Sequence, residues 1–376
     1  MKIAIMTQPL GKNYGGIMQA YALQKILKDM NHEVVTIDYN AKQANFFYKK
    51  ARLPYRLVKK VIGKRKAPIN MEKNISFITQ NNKNFIVSNI IQSEYIDTSN
   101  SLKKHFRKSK YDAVIVGSDQ TWRPKYSPNI YDYYLKFLRK NKIIKRIAYS
   151  SSFGVDNWEY SKDETVGCGK LAISFDAISV REQSGIELCK EHLGVDSTCT
   201  LDPTLLLDKE EYIVLMSEHC KKEISEGVYT YFLDNNKDKI SAAQYLADAL
   251  DTYTYNCQAK CSLSDLNSSE LEDYKMPAVQ DWLTSFYNAE FVLTDSFHGM
   301  IFSIIFNKPF LVIVNKERGA ARFESLLSQI GGLKHLIYDF TEIENDISAI
   351  KKITPLEINE LNILKEYSMK FLKDNL

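Results

Sequence analysis

The sequence predicts an α/β protein made of two domains, each built on a parallel β-sheet. Short apolar runs alternate with helical patterns along most of the 376 residues, and this alternation is typical of parallel sheets that are covered by helices on both faces. With 44% hydrophobic and 26% charged residues, the chain has the composition of a folded globular protein. Its length is sufficient for two hydrophobic cores of ordinary size.

The first β-α-β unit is the clearest element of the sequence. Residues 2–7 (KIAIMT) form an apolar run typical of a buried strand, and apolar side chains recur at helical spacing over 17–30. Asn31 and His32 end this helix, and residues 33–39 (EVVTIDY) predict the next strand. A strand, a helix and a parallel strand in this order are joined by a right-handed crossover.

The alternation continues through the first domain and resumes in a second one. Further strands are predicted at 111–117, 146–151, 177–181, 198–201, 227–233, 291–294 and 310–313. Helices are predicted over 182–193 and 242–250, and helices fill most of the remainder. Residues 201–212 (LDPTLLLDKEEY) are expected to form an extended connector, with the change of domain at Asp202-Pro203.

These elements divide the chain into three parts. The first domain is expected to span 1–203, with a basic insertion at about 41–100. The second domain is expected to span 204–350, and a last helix within 351–376 is expected to pack back on the first domain.

The charge pattern argues against nucleic-acid binding. The net charge is only +4, without the concentrated basic stripe of a nucleic-acid-binding surface. Basic residues do cluster between 49 and 66, among Tyr, Leu, Val and Ile. This segment is interpreted as a solvated helix with lysine stems along its surface, or as a peripheral contact to an anionic membrane or a lipid-linked acceptor, with nucleic acid as the remaining alternative.

The cysteines and the N-terminus indicate the compartment. Six cysteines lie far apart, without a CxxC pair or a neighbouring histidine to complete a zinc site, so no metal and no cofactor is expected. The N-terminus enters a strand directly, without the pattern of a leader peptide. The chain is therefore expected to be cytoplasmic with reduced thiols, or to lie at the inner face of the membrane if the basic segment binds lipid.

Four polar loops follow predicted strands, at 13–16, 118–120, 181–182 and 296–299. Because parallel sheets bind ligands at the carboxyl ends of their strands, these loops are expected to share one cleft. For each loop taken alone, a polar residue that caps the following helix is an equally good explanation.

The first two loops carry residues suited to a sugar. The segment Asn13-Tyr14-Gly15-Gly16 is interpreted as an anion- or sugar-binding turn at a helix N-terminus, or as a plain turn. In the second loop, Asp119 and Gln120 can hydrogen-bond sugar hydroxyls, Asp119 can act as a general base, and Trp122 can offer a flat apolar face. The alternative for Asp119 or the preceding serine is helix capping.

The other two loops carry an arginine and a histidine. Arg181 requires a partner, which is Glu182, Asp202, or the carboxylate or phosphate of a ligand. His298 stands near a helix N-terminus beside Asp295 and Ser296, in a position that suits a catalytic or a structural role.

Six segments, in this order along the chain, resemble the polysaccharide pyruvyl transferase family: NYGGIMQAYAL at 13–23, VGSDQTW at 116–122, RIAYSSSFG at 146–154, ISVREQSG at 178–185, LDPTLLL at 201–207 and LTDSFHGMIFSIIFNKPF at 293–310. The resemblance implies a fold similar to the GT-B glycosyltransferases, with two Rossmann-like domains facing a cleft, the first on the acceptor side and the second on the donor side. It also implies the transfer of a pyruvyl group from phosphoenolpyruvate to a glycan, as a ketal, in exopolysaccharide or capsule biosynthesis.

The loops and the resemblance together give the expected site. The donor-binding residues are Arg181, Ser296, Phe297, His298 and Arg322, and the acceptor-binding residues are Asn13, Tyr14, Gly15, Asp119, Gln120 and Trp122. His298 is the expected acid and Asp119 the expected base. Some family members carry an arginine at the position of Ser296, and here Arg322, Arg318 or Lys316 is expected to supply that charge.

Two other functions are compatible with the same fold. One is a glycosyltransferase that uses a nucleotide-sugar, and the other is a non-catalytic protein of glycan assembly. Phosphoenolpyruvate and a glycan, free or lipid-linked, are the partners expected on the first interpretation.

Overall fold

Two parallel β-sheets form the framework of the protein. The structure, a computed structural model, describes residues 1–40, 53–62, 74–216, 227–234, 236–262, 268–314 and 319–376. The strands are β1 (Lys2–Met6), β2 (Glu33–Thr36), β3 (Ala113–Gly117), β4 (Lys145–Ser151), β5 (Ala177–Val180), β6 (Thr198–Cys199), β7 (Val228–Tyr231), β8 (Thr254–Tyr255), β9 (Phe291–Thr294), β10 (Phe310–Ile313) and β11 (Leu336–Ile337).

Helices connect the strands and cover both sheets. They are α1 (Tyr14–Asp29), α2 (Leu53–Val61), α3 (Ile75–Ile78), α4 (Gln80–Asn89), α5 (Ser99–Ser109), α6 (Ile130–Tyr133), α7 (Lys162–Ala172), α8 (Gln183–Leu188), α9 (Lys209–Met216), α10 (Lys237–Ala249), α11 (Val279–Asn288), α12 (Phe297–Ile305), α13 (Ala321–Gln329), α14 (Thr341–Asn345), α15 (Ile347–Ile350) and α16 (Asn359–Asn375). None of the helices in these described ranges is both long and apolar enough to cross a bilayer.

The first sheet has the strand order β2-β1-β3-β4-β5-β6, with every pair parallel. Strand β1 lies between β2 and β3, where Ile3 pairs with Val34 on one side and Ala113 on the other. A strand with two neighbours and helices on both faces is buried all round, and this explains why the segments of β1 and β3 are almost entirely apolar. The predicted strands of the first domain thus lie in one parallel sheet.

The second sheet has the order β11-β10-β9-β7-β8 and is also parallel throughout. Its central strand, β9, leads into α12, in which eight of the nine residues are buried. Helix α12 is mostly apolar because it lies between its own sheet and the segment that joins the domains, where Phe302 packs against Tyr212 with 5.2 Å between ring centroids.

The two halves share a hydrophobic core. One cluster of buried side chains includes Ile3 and Ile17 of the first half and Trp282 and Phe302 of the second. At its edge, the Tyr14 ring stacks on Trp282 with 5.2 Å between centroids. The halves therefore hold each other in place through apolar packing as well as through the connector.

The last helix, α16, packs on the first half. The backbone amide of Leu201 donates to Ser368 Oγ at 3.0 Å, and Phe371 lies 6.1 Å from Tyr149 between ring centroids. Lys145 Nζ donates to the carbonyl of Asn375 at 3.3 Å.

Two expectations about secondary structure need correction, and two strands were not predicted. The connector over 201–212 is not extended, because Pro203–Leu206 form a 3₁₀ turn and α9 begins at Lys209. The helix predicted over 182–193 ends as α8 at Leu188 and continues as a π turn over Cys189–Leu193. Strands β8 and β11 were not predicted, and each is an edge strand of two residues.

Candidate active site

A cavity of about 80 Å³ lies between the carboxyl ends of the two sheets. It is lined by residues of both halves, namely Asn13, Asp119, Gln120, Arg123, Tyr126, Leu233, Asp295, Ser296, Phe297, His298, Arg322 and Phe323. These residues follow β1, β3, β7 and β9 or begin α12 and α13, so the position of the cavity is that expected for a ligand site in parallel α/β sheets.

A buried network of charges lies behind one wall of this cavity. Arg181 Nη1 donates to Asp202 Oδ2 at 2.8 Å, and Arg181 Nη2 donates to Asp119 Oδ1 at 3.3 Å. The backbone amide and hydroxyl of Thr204 donate to the second oxygen of Asp202 at 3.0 and 2.7 Å. Burial alone would lower the pKa of Arg181, but Asp202 and Asp119 outweigh it and raise that pKa. Arg181 is therefore a paired, permanently charged group.

His298 lies on the other side of the same carboxylate. Its Nε2 is 3.5 Å from Asp202 Oδ2, at the limit of hydrogen-bond distance. Burial would raise the pKa of Asp202, but His298 and Arg181 outweigh burial and hold that pKa well below its usual range. The arginine of the first half and the histidine of the second thus converge on one anion, which is a carboxylate of the protein itself.

Gly15 permits this approach of the two halves. A methyl group added at its Cα would lie 2.1 Å from His298 Nδ1, which is too short for two non-bonded atoms. The histidine ring therefore rests directly on the backbone at the start of α1. This contact gives a physical reason for a glycine in the loop at 13–16.

Arg322 is a buried cation that lines the cavity and has no partner among the described residues. Only 8% of the residue is exposed, and no described residue forms an ion pair or hydrogen bond with its guanidinium. Its nearest aromatic contact is the ring of Phe297, 5.5 Å from Cζ. Burial, reinforced by Arg181, lowers the pKa of Arg322 to about 10, so the side chain is still charged at neutral pH.

The start of α12 adds hydrogen-bond donors beside Arg322. The side chain of Ser296 caps this helix, accepting from the Gly299 amide at 3.3 Å. Across the described residues, no acceptor is bonded to the backbone amides of Phe297 and His298. Because a helix N-terminus favours negative charge, these amides and the guanidinium together form a subsite suited to an anion.

The loop after β3 forms the opposite wall, and its arginine is already neutralised. Arg123 binds Glu159 through two hydrogen bonds of 2.7 and 2.8 Å and donates to Gln120 Oε1 at 3.0 Å. Asp119 adopts the left-handed backbone conformation, with φ of 69°, and no described donor contacts its Oδ2. That oxygen is the open end of a carboxylate whose other oxygen is held by Arg181.

Tyr126 is a cavity residue that the sequence analysis did not identify. It is 44% exposed, and its ring centroid lies 4.9 Å from Arg123 Cζ. It lies four residues beyond Trp122, in the loop already singled out, but nothing in its immediate sequence distinguishes it from other exposed tyrosines.

Three residues predicted to bind the acceptor, Trp122, Tyr14 and Gly15, do not line the cavity. The expectation of an exposed face on Trp122 is wrong, because the ring is fully buried, stacks on Tyr134 at 4.8 Å and donates from Nε1 to the Tyr133 carbonyl at 3.3 Å. Tyr14 is buried between the halves, and its hydroxyl donates to the Pro277 carbonyl at 2.8 Å.

The remaining predictions are distributed as follows. Asn13, Gln120, Asp119, Ser296, Phe297, His298 and Arg322 line the cavity, Gly15 lies beneath the ring of His298, and Arg181 lies behind the wall. Arg318 and Lys316, named as alternative cations, lie outside the described residues.

Asp295 has a structural role, since it forms an ion pair with Lys239 and accepts a hydrogen bond from the Leu233 amide at 2.7 Å. Within the described residues, no group of three His, Cys, Asp or Glu side chains is placed to hold a metal ion.

Two Rossmann-like halves with a cleft at the carboxyl ends of their sheets define an α/β protein of the GT-B type. Solved structures with this fold include UDP-N-acetylglucosamine 2-epimerase from Rickettsia bellii, with a TM-score of 0.53 and 13% identity over 100% of this chain and 96% of that chain. The epimerase from Methanocaldococcus jannaschii, in complex with UDP-GlcNAc and UDP, has a TM-score of 0.53 and 13% identity over 100% of both chains. A glycosyltransferase from Rickettsia africae ESF-5 has a TM-score of 0.52 and 8% identity over 100% of this chain and 94% of that chain. At these identities the similarity concerns the fold alone.

The family is shown by the sequence. The profile of the polysaccharide pyruvyl transferase family matches residues 13–317, which is most of the chain. The protein belongs to this family. A comparison with curated protein sequences gives no match.

Proposed function

We propose that the protein transfers a pyruvyl group from phosphoenolpyruvate to two hydroxyls of a sugar in a polysaccharide, forming a ketal. The observation that carries this proposal is the buried Arg322, which has no partner among the described residues and lines the cavity together with His298 and the start of α12. Phosphoenolpyruvate carries two anionic groups on three carbons. This corner of the cavity offers two kinds of hydrogen-bond donor for them, a guanidinium and backbone amides.

The donor is assigned to the second half. The fork of the Arg322 guanidinium matches a carboxylate or a phosphate through two parallel hydrogen bonds. The amides of Phe297 and His298 are placed to receive the second anionic group. Arg181, which the sequence analysis placed on the donor, is engaged by Asp202 and Asp119. We therefore assign it the role of positioning those two carboxylates.

His298 and Asp119 are assigned the proton transfers. His298 donates a proton to C3 of phosphoenolpyruvate, which leaves C2 electron-poor. One sugar hydroxyl adds to C2 and loses its proton to the open Oδ2 of Asp119. The C2–O bond to phosphate then breaks, the second hydroxyl adds to C2, and its proton leaves with the inorganic phosphate. The proton that Asp119 took from the first hydroxyl balances the one that His298 gave to C3, so both side chains can return to their starting states.

The electrostatic surroundings favour this sequence of steps. The leaving phosphate gains negative charge as the bond breaks, and a fixed cation and helix amides stabilise such charge without reorganising. Asp202 Oδ2 lies 3.5 Å from His298 Nε2 and would stabilise the charged imidazole. The acceptor enters past Asn13, Gln120 and Tyr126, which line the wall formed by the first half.

Substitution of Arg322 tests the donor site. Because the guanidinium has no carboxylate partner in the described structure, Arg322→Met should leave the stability of the ligand-free protein unchanged or increase it. The same variant should weaken phosphoenolpyruvate binding roughly ten- to hundredfold, since a hydrogen bond to a charged group contributes about 1.5–3 kcal/mol. Isothermal calorimetry and thermal unfolding with and without phosphoenolpyruvate give both quantities. Arg107→Met, at an exposed arginine of α5, is the control.

Phosphate release in the presence of a glycan panel tests the reaction itself. The wild type should release phosphate only when donor and acceptor are both present, with one ketal formed for each phosphate. Stabilisation by UDP-GlcNAc, the ligand of the M. jannaschii structure of the same fold, without stabilisation by phosphoenolpyruvate would instead favour a nucleotide-sugar enzyme. Binding of phosphoenolpyruvate without phosphate release on any glycan would favour a non-catalytic role.

A further inference from the structure

Helix α2 presents an unusual apolar face to solvent. Leu57, Val58, Val61 and the following Ile62 are 49%, 58%, 85% and 56% exposed. The helical turn continues to Ile62, whose amide donates to the Val58 carbonyl at 3.0 Å. Positions i, i+1, i+4 and i+5 lie on one side of a helix, so these four side chains form a continuous apolar face.

This face takes no part in the folded core. None of the described apolar side chains of α2 belongs to any of the hydrophobic clusters that hold the sheets and helices together. Isolated exposed apolar residues are ordinary on protein surfaces, whereas a contiguous patch marks a contact surface. The helix therefore has an apolar face that the rest of the described chain does not cover.

The charge of the segment identifies the partner. Lys59 and Lys60 lie on the side of α2 opposite the apolar face, and Lys60 is exposed. The sequence from 49 to 66 contains nine Lys or Arg residues and no Asp or Glu. A helix that is apolar on one side and basic on the other fits the boundary between the acyl chains and the anionic headgroups of a bilayer.

We propose that α2 binds peripherally to anionic membranes, with the face of Leu57, Val58, Val61 and Ile62 inserted among the headgroups. The apolar face supplies the insertion, and the basic residues supply attraction to the negative surface, at about fivefold in affinity for each charge near the membrane. An anionic bilayer is favoured over a protein partner because the one-sided apolar face of α2 lies within a sequence, 49–66, that has nine basic residues and no acidic one.

Vesicle co-sedimentation of the full chain tests this proposal without any substrate. The wild type should bind vesicles of equimolar phosphatidylglycerol and phosphatidylcholine and should not bind pure phosphatidylcholine. The triple variant Leu57→Ser, Val61→Ser, Ile62→Ser should lose at least about tenfold in partition coefficient, since each buried apolar side chain contributes to insertion. Its matched control, Leu333→Ser, Val214→Ser, Ile143→Ser, changes the same residue types at positions that are 53%, 70% and 90% exposed elsewhere, and should bind as the wild type does.

Three results would overturn the proposal. One is a wild type that does not bind anionic vesicles, and another is a triple variant that binds them as well as the control does. The third is an oligomer, seen by sedimentation velocity, that the triple variant disperses, because a second copy of the chain would then cover the face. Pyruvyl transfer to a soluble acceptor should be equal in both triple variants, so failure of membrane binding is distinguishable from failure of the proposed reaction.

Discussion

Replacing Asp202 by asparagine should destabilise the protein through the buried charge network. The side chain is fully buried and accepts from Arg181 at 2.8 Å while lying 3.5 Å from His298. In Asp202→Asn, the guanidinium of Arg181 keeps only the 3.3 Å contact to Asp119 as an ion pair. Leaving a buried charge without its partner costs about 3–5 kcal/mol. We expect a loss near 3 kcal/mol in the free energy of unfolding, since the carboxamide oxygen can still accept one hydrogen bond.

Urea unfolding at neutral pH, followed by circular dichroism, measures this loss. The control is Asp374→Asn, which removes the partner of Lys370 from an ion pair of 2.6 Å with side chains 55% and 70% exposed. Although this pair is the shorter one, an exposed ion pair contributes at most about 1 kcal/mol. A loss in Asp202→Asn no larger than that of the control would refute the assignment of Arg181 to a structural network.

The pH dependence provides a second check on the same residue. The pKa of Asp202 is lower in the folded protein than in the unfolded chain, so the unfolded state binds more protons in acid. The stability that Asp202 contributes is therefore complete above its unfolded pKa of about 3.9 and is lost as the pH falls toward the folded value. The difference in the free energy of unfolding between the wild type and Asp202→Asn should become smaller below about pH 4. A constant difference across that range would contradict the depressed pKa.

Three further substitutions test the roles of individual site residues. His298→Ala should lower kcat by about 10²–10⁴ without changing the circular dichroism spectrum, and near-normal turnover would exclude it as the acid. Gly15→Ala should lower the melting temperature and the activity, since its methyl group would lie 2.1 Å from His298, whereas Gly16→Ala, with its nearest contact at 3.3 Å, should be milder. Tyr126→Ala should raise the KM for the glycan but not for phosphoenolpyruvate, and neither Tyr126→Phe nor the control Tyr95→Ala, at a residue 52% exposed, should reproduce this effect.

Much of the fold follows directly from the sequence because buried parallel strands have a distinctive composition. Strands β9 and β10 begin and end where their apolar runs do, at 291–294 and 310–313. The edge strands β8 and β11 contain two residues each, too few to show a period, and they form because a neighbouring strand is already in place. The connector over 201–212 was predicted to be extended, but it forms a 3₁₀ turn and the start of α9. Its leucines are buried in the core that both halves share, and this packing is a property of the assembled fold that the local sequence does not show.

The sequence was sufficient to predict which loops form the site, but not which side chains in them contact each other. The sequence placed the residues around Asp119 and His298 at strand ends, and parallel topology alone brings such loops to one edge. It left Asp202 as one of several partners for Arg181, and only the three-dimensional structure selects it. Whether an aromatic ring in the loop after a strand is buried, as Trp122 is, or exposed, as Tyr126 is, depends on space that distant segments leave free.

The stacking of Tyr14 on Trp282 has a consequence for how substrates reach the cavity. A hinge motion that parted the two halves would expose both rings and the aliphatic residues around them to water, at a cost of about 25 cal/mol for each Å² of apolar surface. Wide opening is therefore expensive in this molecule. On the proposed function, a sugar would therefore reach the cavity along the rim near the exposed Tyr126 while the two halves stay together.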